Sequence, residues 1–272
     1  MIKLYHEAPL SMFDKVQQHT HGDYALVHLF EESTEYYLKF VEAIDQGREV
    51  ILDNSIFELG VSFDMHKFAS WIKSLRPAWY IVPDVLDDHL KTMSNMWEWH
   101  NVYDHLPGKP IGVVQGQSDE EVINCFKDMV PYVSKIAISF NYVHWNDMYP
   151  DEETVWHSCM KGRINLIDRM IEENVIRDTP VHLLGCGLPQ EFAHYKSAKY
   201  SFIDSLDTSN PVMHGMHGVR YGDVGLTDKI TNKMADEMFE SYDHRWGDVL
   251  WNIKMFALLA NGTHSSLTQE KK

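Results

Sequence analysis

Short apolar runs alternate with longer helical patterns along nearly the whole chain, and this alternation most narrows the folds open to it. The runs are YALVHLF (24–30), EVILD (49–53), WYIVPD (79–84), PIGVVQ (110–115), KIAISF (135–140), PVHLLG (180–185) and SFIDSLD (201–207), with a weaker eighth at HGVRYG (217–222). Most are continuous rather than alternating in polarity, as expected of parallel strands covered on both faces. Helical patterns fill the gaps. STEYYLKFVEAI (33–44) opens on a Ser/Thr cap, DMHKFASWIKSL (64–75) has Asp64 in the capping place, and SDEEVINCFKDMV begins at Ser118 with Glu121 three residues on. WGDVLWNIKMFALLA (246–260) is apolar enough to pack against a barrel. Repeated strand–helix units predict a single-domain (β/α)8 barrel over residues 1–262, with a doubly wound open sheet as the alternative.

The bulk properties agree. A chain of 272 residues suits a barrel, which commonly takes about 250. A hydrophobic content of 44% with 12% aromatics supplies a core. The formal net charge of −16 argues against a broad basic face for nucleic acid without excluding a local stripe such as Lys161, Arg163 and Arg169, or Arg220, Lys229 and Lys233. Cys125, Cys159 and Cys186 are far apart and form no CxxC, so neither a disulfide framework nor a zinc knuckle is expected. No apolar run approaches the roughly 20 residues of a membrane span, and the first residues lack the apolar core of a secretion signal. A soluble, cytoplasmic protein is the expectation. The tail at 263–272 is polar in the manner of a frayed end.

Several runs stop at a polar residue. Asp53, Asp84, Gln115 and Asp207 end their strands, and Gly185 and Gly187 follow the sixth. In a barrel these positions share the carboxyl-terminal rim, where such folds carry their chemistry. A small site rich in carboxylates and amides suits a hydrogen-bonding heterocycle better than a phosphate. Singly, each Asp is as well explained as a helix cap or turn residue.

The ordered set ILDNSIFELG, YIVPDVLDD, IGVVQGQ, HLLGCGLPQEF and FIDSLDTSNP resembles the strand-end motifs of tRNA-guanine transglycosylases over roughly residues 50–211. Those enzymes are (β/α)8 barrels that exchange guanine in RNA for a 7-deazaguanine base. The resemblance implies that Asp207 is the nucleophile and Asp53 handles protons or orients the base. It further implies that Phe57 stacks on the base, Asp84 binds its Watson–Crick edge and Gln115, next to Gly116, contacts its carbonyl side. Leu184, before Gly185, would form the opposite side of the sandwich, and Asp204 fits the other Asp of the nucleophile segment. Asp53 to Glu58 matches the family's Asp-Ser-Gly-Gly-Phe-Gln with both glycines replaced.

The chemistry is coherent without the family. Exchange at an N-glycosidic bond requires holding the sugar while one base leaves and another enters. A carboxylate attacking the anomeric carbon does this covalently. A second group must protonate the leaving nitrogen and deprotonate the incoming one.

The family's zinc module, three close cysteines and a later histidine, is absent: no cysteine follows residue 186. The basic residues expected beyond the nucleophile are also missing before Arg220. Both departures favour a compact relative similar to the phage-type transglycosylases that insert 7-deazaguanines (preQ0-like bases) into DNA. The expected partners are then DNA rather than tRNA, a 7-deazaguanine base and, given the charge, an accessory protein, with no cofactor, no metal and no membrane. Three other readings compete: an enzyme acting on tRNA, a metal-dependent barrel hydrolase built on His214, His217 and Asp204, and a non-catalytic partner subunit. No phosphate-binding loop, dinucleotide fingerprint or GxSxG elbow is present.

Overall fold

A computed structural model describes residues 1–262; the tail expected at 263–272 lies outside the described residues. Eight parallel strands close into a barrel in chain order: β1 (Lys3–Tyr5), β2 (Gly22–Leu26), β3 (Glu49–Asp53), β4 (Trp79–Ile81), β5 (Lys109–Val113), β6 (Lys135–Ser139), β7 (Val181–Leu184) and β8 (Ile203–Asp207). The sequence-predicted (β/α)8 barrel is the observed fold. Helices include α1 (Phe13–Gln17), α2 (Val27–Glu32), α3 (Thr34–Asp45), α4 (Ile56–Leu59), α5 (Met65–Leu75) and α6 (His89–Tyr103). They continue with α7 (Asp119–Met129), α8 (His144–Met148), α9 (Val155–Glu172), α10 (Asn210–Met216), α11 (Met234–Glu237) and α12 (Trp246–Asn261).

The strands are buried along almost their full length, which is why they read as unbroken apolar runs. The expected caps are made: Ser33 accepts from Tyr36 N, Asp64 from Lys67 N and Ser118 from Glu121 N. Glu121 does not close a reciprocal box on Ser118; its carboxylate takes the N–H of Gln117 instead, one residue earlier. Among the described residues no helix is long and apolar enough to cross a membrane.

Two expectations are corrected. The eighth strand is not at 217–222, where the chain leaves α10 as a loop holding a single Gly222–Gly225 bridge. The barrel is closed by β1, whose Tyr5 pairs with Gly22 on one side and Asp207 on the other. The run 24–30 is likewise split: the strand ends at Leu26 and Val27 begins α2.

One irregularity bears on the site. Between β7 and β8, Val181 pairs with Ile203 but His182 pairs with Ser205, so Asp204 is an extra residue on β8. Such a bulge re-aims the side chains around it.

Candidate active site

A cavity of about 180 Å³ opens at the carboxyl ends of the strands. Of the nine residues expected in the site, seven line it: Asp53, Phe57, Asp84, Gln115, Leu184, Gly185 and Asp207. Gly116 and Asp204 do not. At Gly116 a Cβ would meet Val122 N at 2.8 Å, so this glycine lets the chain turn tightly into α7. Asp204 sits three residues before the rim, roughly 10 Å down the strand. Its side chain is 40% exposed, and it pairs with Lys135 at 2.9 Å near the strands' amino ends.

β3 delivers Asp53 and then bends sharply. Ser55 adopts φ 60° and ψ 26°, the left-handed region that glycine occupies most easily. The turn is held by Asp53, whose Oδ2 accepts from Ser55 N at 2.7 Å while Oδ1 accepts from Tyr24 Oη at 3.0 Å. Burial, then the nearby Glu58 and Asp207 carboxylates, raise the Asp53 carboxyl well above its ordinary range.

Asp84 and Gln115 meet side by side. Asp84 accepts from Asn54 Nδ2 at 2.8 Å and from Gln115 Nε2 at 2.6 Å. Gln115 Oε1 accepts from Asp87 N at 3.1 Å, which fixes the amide with its NH2 toward Asp84 and leaves one N–H uncommitted. Gln115 thus first holds Asp84 and only secondarily faces the cavity. Burial pushes Asp84 up to about 6, against the lowering effect of its Asn54 and Gln115 hydrogen bonds.

Asp207 is buried. Its Oδ1 lies 3.0 Å from His182 Nε2 and 3.4 Å from Gly185 N, and no hydrogen bond to Oδ2 occurs among the described residues. Gly185 is required twice over. It has φ 64°, and a Cβ would strike Phe140 Cδ1 at 2.4 Å. The backbone here is anchored from below: Arg163 donates to the Leu184 and Gly185 carbonyls at 2.9 and 3.1 Å. The guanidinium is itself held by Glu191 at 2.6 and 2.8 Å, both side chains fully buried.

Phe57 is 52% exposed, which makes it a wall of the mouth rather than core. Opposite stand Phe140 and Trp156, with Lys229 Nζ 4.0 and 4.8 Å from their ring centroids. Burial lowers the Lys229 amine to about 8. Several lining residues escaped the sequence reading, Glu7, Tyr24, Glu58, Phe140 and Trp156, while Lys229 had been singled out only as part of a basic stripe. Glu7 follows β1, a strand too short to show a pattern. Glu58 stands in the quoted DNSIFE segment, which was the one signal for it. Burial raises Glu58 to about 7 and Glu7 well above its ordinary range.

The histidines of the hydrolase reading do not come together on a shared ligand. His214 lines the cavity, but both ring nitrogens are engaged, with Asn210 O at 2.8 Å and Ile230 N at 3.2 Å, and His217 faces Glu237 at 3.0 Å. Asp204 is at the other end of the barrel, and no group of three or more potential metal ligands converges among the described residues. No family model and no curated protein matches this chain.

Proposed function

We propose that the protein is a base-exchange transglycosylase replacing guanine in a nucleic acid, DNA in preference to tRNA, by a 7-deazaguanine base. The observation that carries this reading is one cavity walled by Asp53, whose carboxyl burial raises well above its ordinary range, by Asp207 with a free oxygen, and by the joined Asp84–Gln115 pair. Asp207 Oδ2 attacks the anomeric carbon as its bond to guanine breaks, giving a covalent sugar–carboxylate ester. Asp53 gives its proton to the leaving base. The incoming base then returns a proton to Asp53 and displaces Asp207 from the sugar. Proton transfer of this kind contributes about 10²–10⁴-fold.

Asp84 accepts from the ring N–H and amino group of guanine, and the spare N–H of Gln115 donates to its carbonyl. Phe57 offers a face for stacking, with Leu184 across the slot. The target nucleotide must leave its helix to enter. With a net charge of −16, the protein draws its grip on the polymer from local residues such as Lys229 and Lys233, or from an accessory protein.

The test is exchange of radiolabelled guanine into DNA and, separately, into unmodified tRNA, with Asp207→Ala as control. Label entering DNA and lost in the variant is the expected result. Label in tRNA alone would replace the polymer and keep the chemistry. Label in neither, with or without cell extract, would overturn the reading.

A further inference from the structure

An unbroken polar line crosses the barrel interior beneath Asp207. Asp207 Oδ1 lies 3.0 Å from His182 Nε2, and His182 Nδ1 lies 2.9 Å from Ser205 Oγ. Ser205 Oγ is 2.9 Å from Lys135 Nζ and 2.7 Å from Asp204 Oδ1, and Lys135 and Asp204 pair at 2.9 Å. His182 and Ser205 are fully buried. Lys135 is nearly so and packs over the Trp79 ring at 4.1 Å. Only Asp204 reaches solvent. Four ionisable side chains and a hydroxyl in a barrel core are costly unless each is paired, and here each is.

Proton counting makes the line more than packing. Ser205 has one proton, while its oxygen faces Lys135, Asp204 and His182. If the proton goes to His182 Nδ1, then Nε2 carries the imidazole's own hydrogen and donates it to the Asp207 carboxylate. If the proton goes to Asp204, Nδ1 must be the donor to Ser205. Nε2 then confronts Asp207 either as an imidazolium or as acceptor of a proton lodged on Asp207, which would silence the nucleophile. The choice is made at Ser205, and it is biased by Lys135 and Asp204. The bulge that leaves Asp204 without a partner on β7 brings His182 opposite Ser205 and so completes the line.

We infer that His182 is a positioning residue that ties Oδ1 of Asp207 and leaves Oδ2 free, and that Ser205, Lys135 and Asp204 set from the far end of the barrel which His182 nitrogen donates. The catalytic part of this inference rests on the transglycosylase reading; the hydrogen-bonded coupling does not. Asp204 therefore serves the site through His182 instead of touching the base.

The test uses the full chain labelled with nitrogen-15 histidine, the His182 ring signals being assigned by their loss in His182→Gln. Asp204→Asn should shift those signals, although no hydrogen bond joins Asp204 to His182. In a Ser205→Ala background, which leaves the Lys135–Asp204 pair intact, adding Asp204→Asn should shift them no further. Unmoved signals in the single variant, or equal shifts in both backgrounds, would overturn the relay. In the guanine-exchange assay His182→Phe should lower kcat about 100-fold, the scale of a misplaced reacting group, with KM little changed. His182→Gln, which offers a donor and an acceptor in similar places, should recover part of it. A KM effect alone, or no recovery, would overturn the positioning role. If the wild-type protein exchanges no base while the signals remain coupled, the exchange reading falls and the relay stands.

Discussion

Asp84 allows the electrostatics of the cavity to be tested without any substrate. Burial takes its carboxyl from 3.8 to about 6, after the Asn54 and Gln115 hydrogen bonds have opposed the rise. A folded-state value above the unfolded one means that the native protein binds more protons, so this contribution favours folding at low pH and is lost as pH rises through about 6. At 1.36 kcal/mol per unit the whole effect is about 3 kcal/mol, of which about 1 kcal/mol falls between pH 8 and pH 5. Asp84→Asn removes the titration while keeping the side chain's size. Urea unfolding of both proteins at several pH values in that window is the assay. The Asp53, Glu58 and Glu7 contributions have the same sign but are common to both proteins, so they cancel to first order in the difference. The wild type should gain about 1 kcal/mol more than the variant on acidification. Equal gains, or a larger one in the variant, would refute the argument that burial outweighs the two amide donors at Asp84.

Arg163→Ala strands Glu191 in the core and should cost about 3–5 kcal/mol in chemical denaturation; it should also slow exchange by freeing the Leu184 and Gly185 carbonyls. Gly162→Ala would bring a Cβ to 2.2 Å from Trp145 Cδ2, an overpacking expected to cost about 1–3 kcal/mol, visible as a lower thermal midpoint. Burial pushes the thiols up, Cys159 to about 11, Cys125 to about 12 and Cys186 higher still. The folded protein should therefore resist a thiol-labelling reagent at pH 8, and all three cysteines should react once it unfolds.

The rim was legible because barrel strands are apolar until they emerge, so a carboxylate after such a run marks the place where the chain meets the cavity. Asp53, Asp84, Gln115 and Asp207 were found that way. β1 was not, since three residues beside His6 and Glu7 carry no periodicity, and Glu7 was lost with it. Asp204 was misplaced for a geometric reason. The resemblance matched it to the other Asp of the nucleophile segment and so to a shared site, but three residues along a strand span the barrel's depth, and a bulge leaves no mark in composition. The line through His182, Ser205 and Lys135 was hidden because each residue looks like an interruption of an apolar run until the neighbouring strands are laid beside it.

The closing seam has a consequence for how the protein comes into being. The strand bearing Asp207 is flanked on one side by β1, and the hydrogen bond from His6 to Thr208 joins residues 202 apart in sequence. Ile2 is fastened in turn by Asn261, at the end of α12. At the usual pace of about 5–20 residues per second, a ribosome needs roughly 10–40 s between making the first edge of this seam and making the second. Throughout that interval Tyr5, His6 and Glu7 have no partner on β8. A chain made only as far as the end of β7 carries Asp53, Asp84, Gln115 and Leu184 but not Asp207, so Asp207 and the closed seam beside it are completed together, late in synthesis.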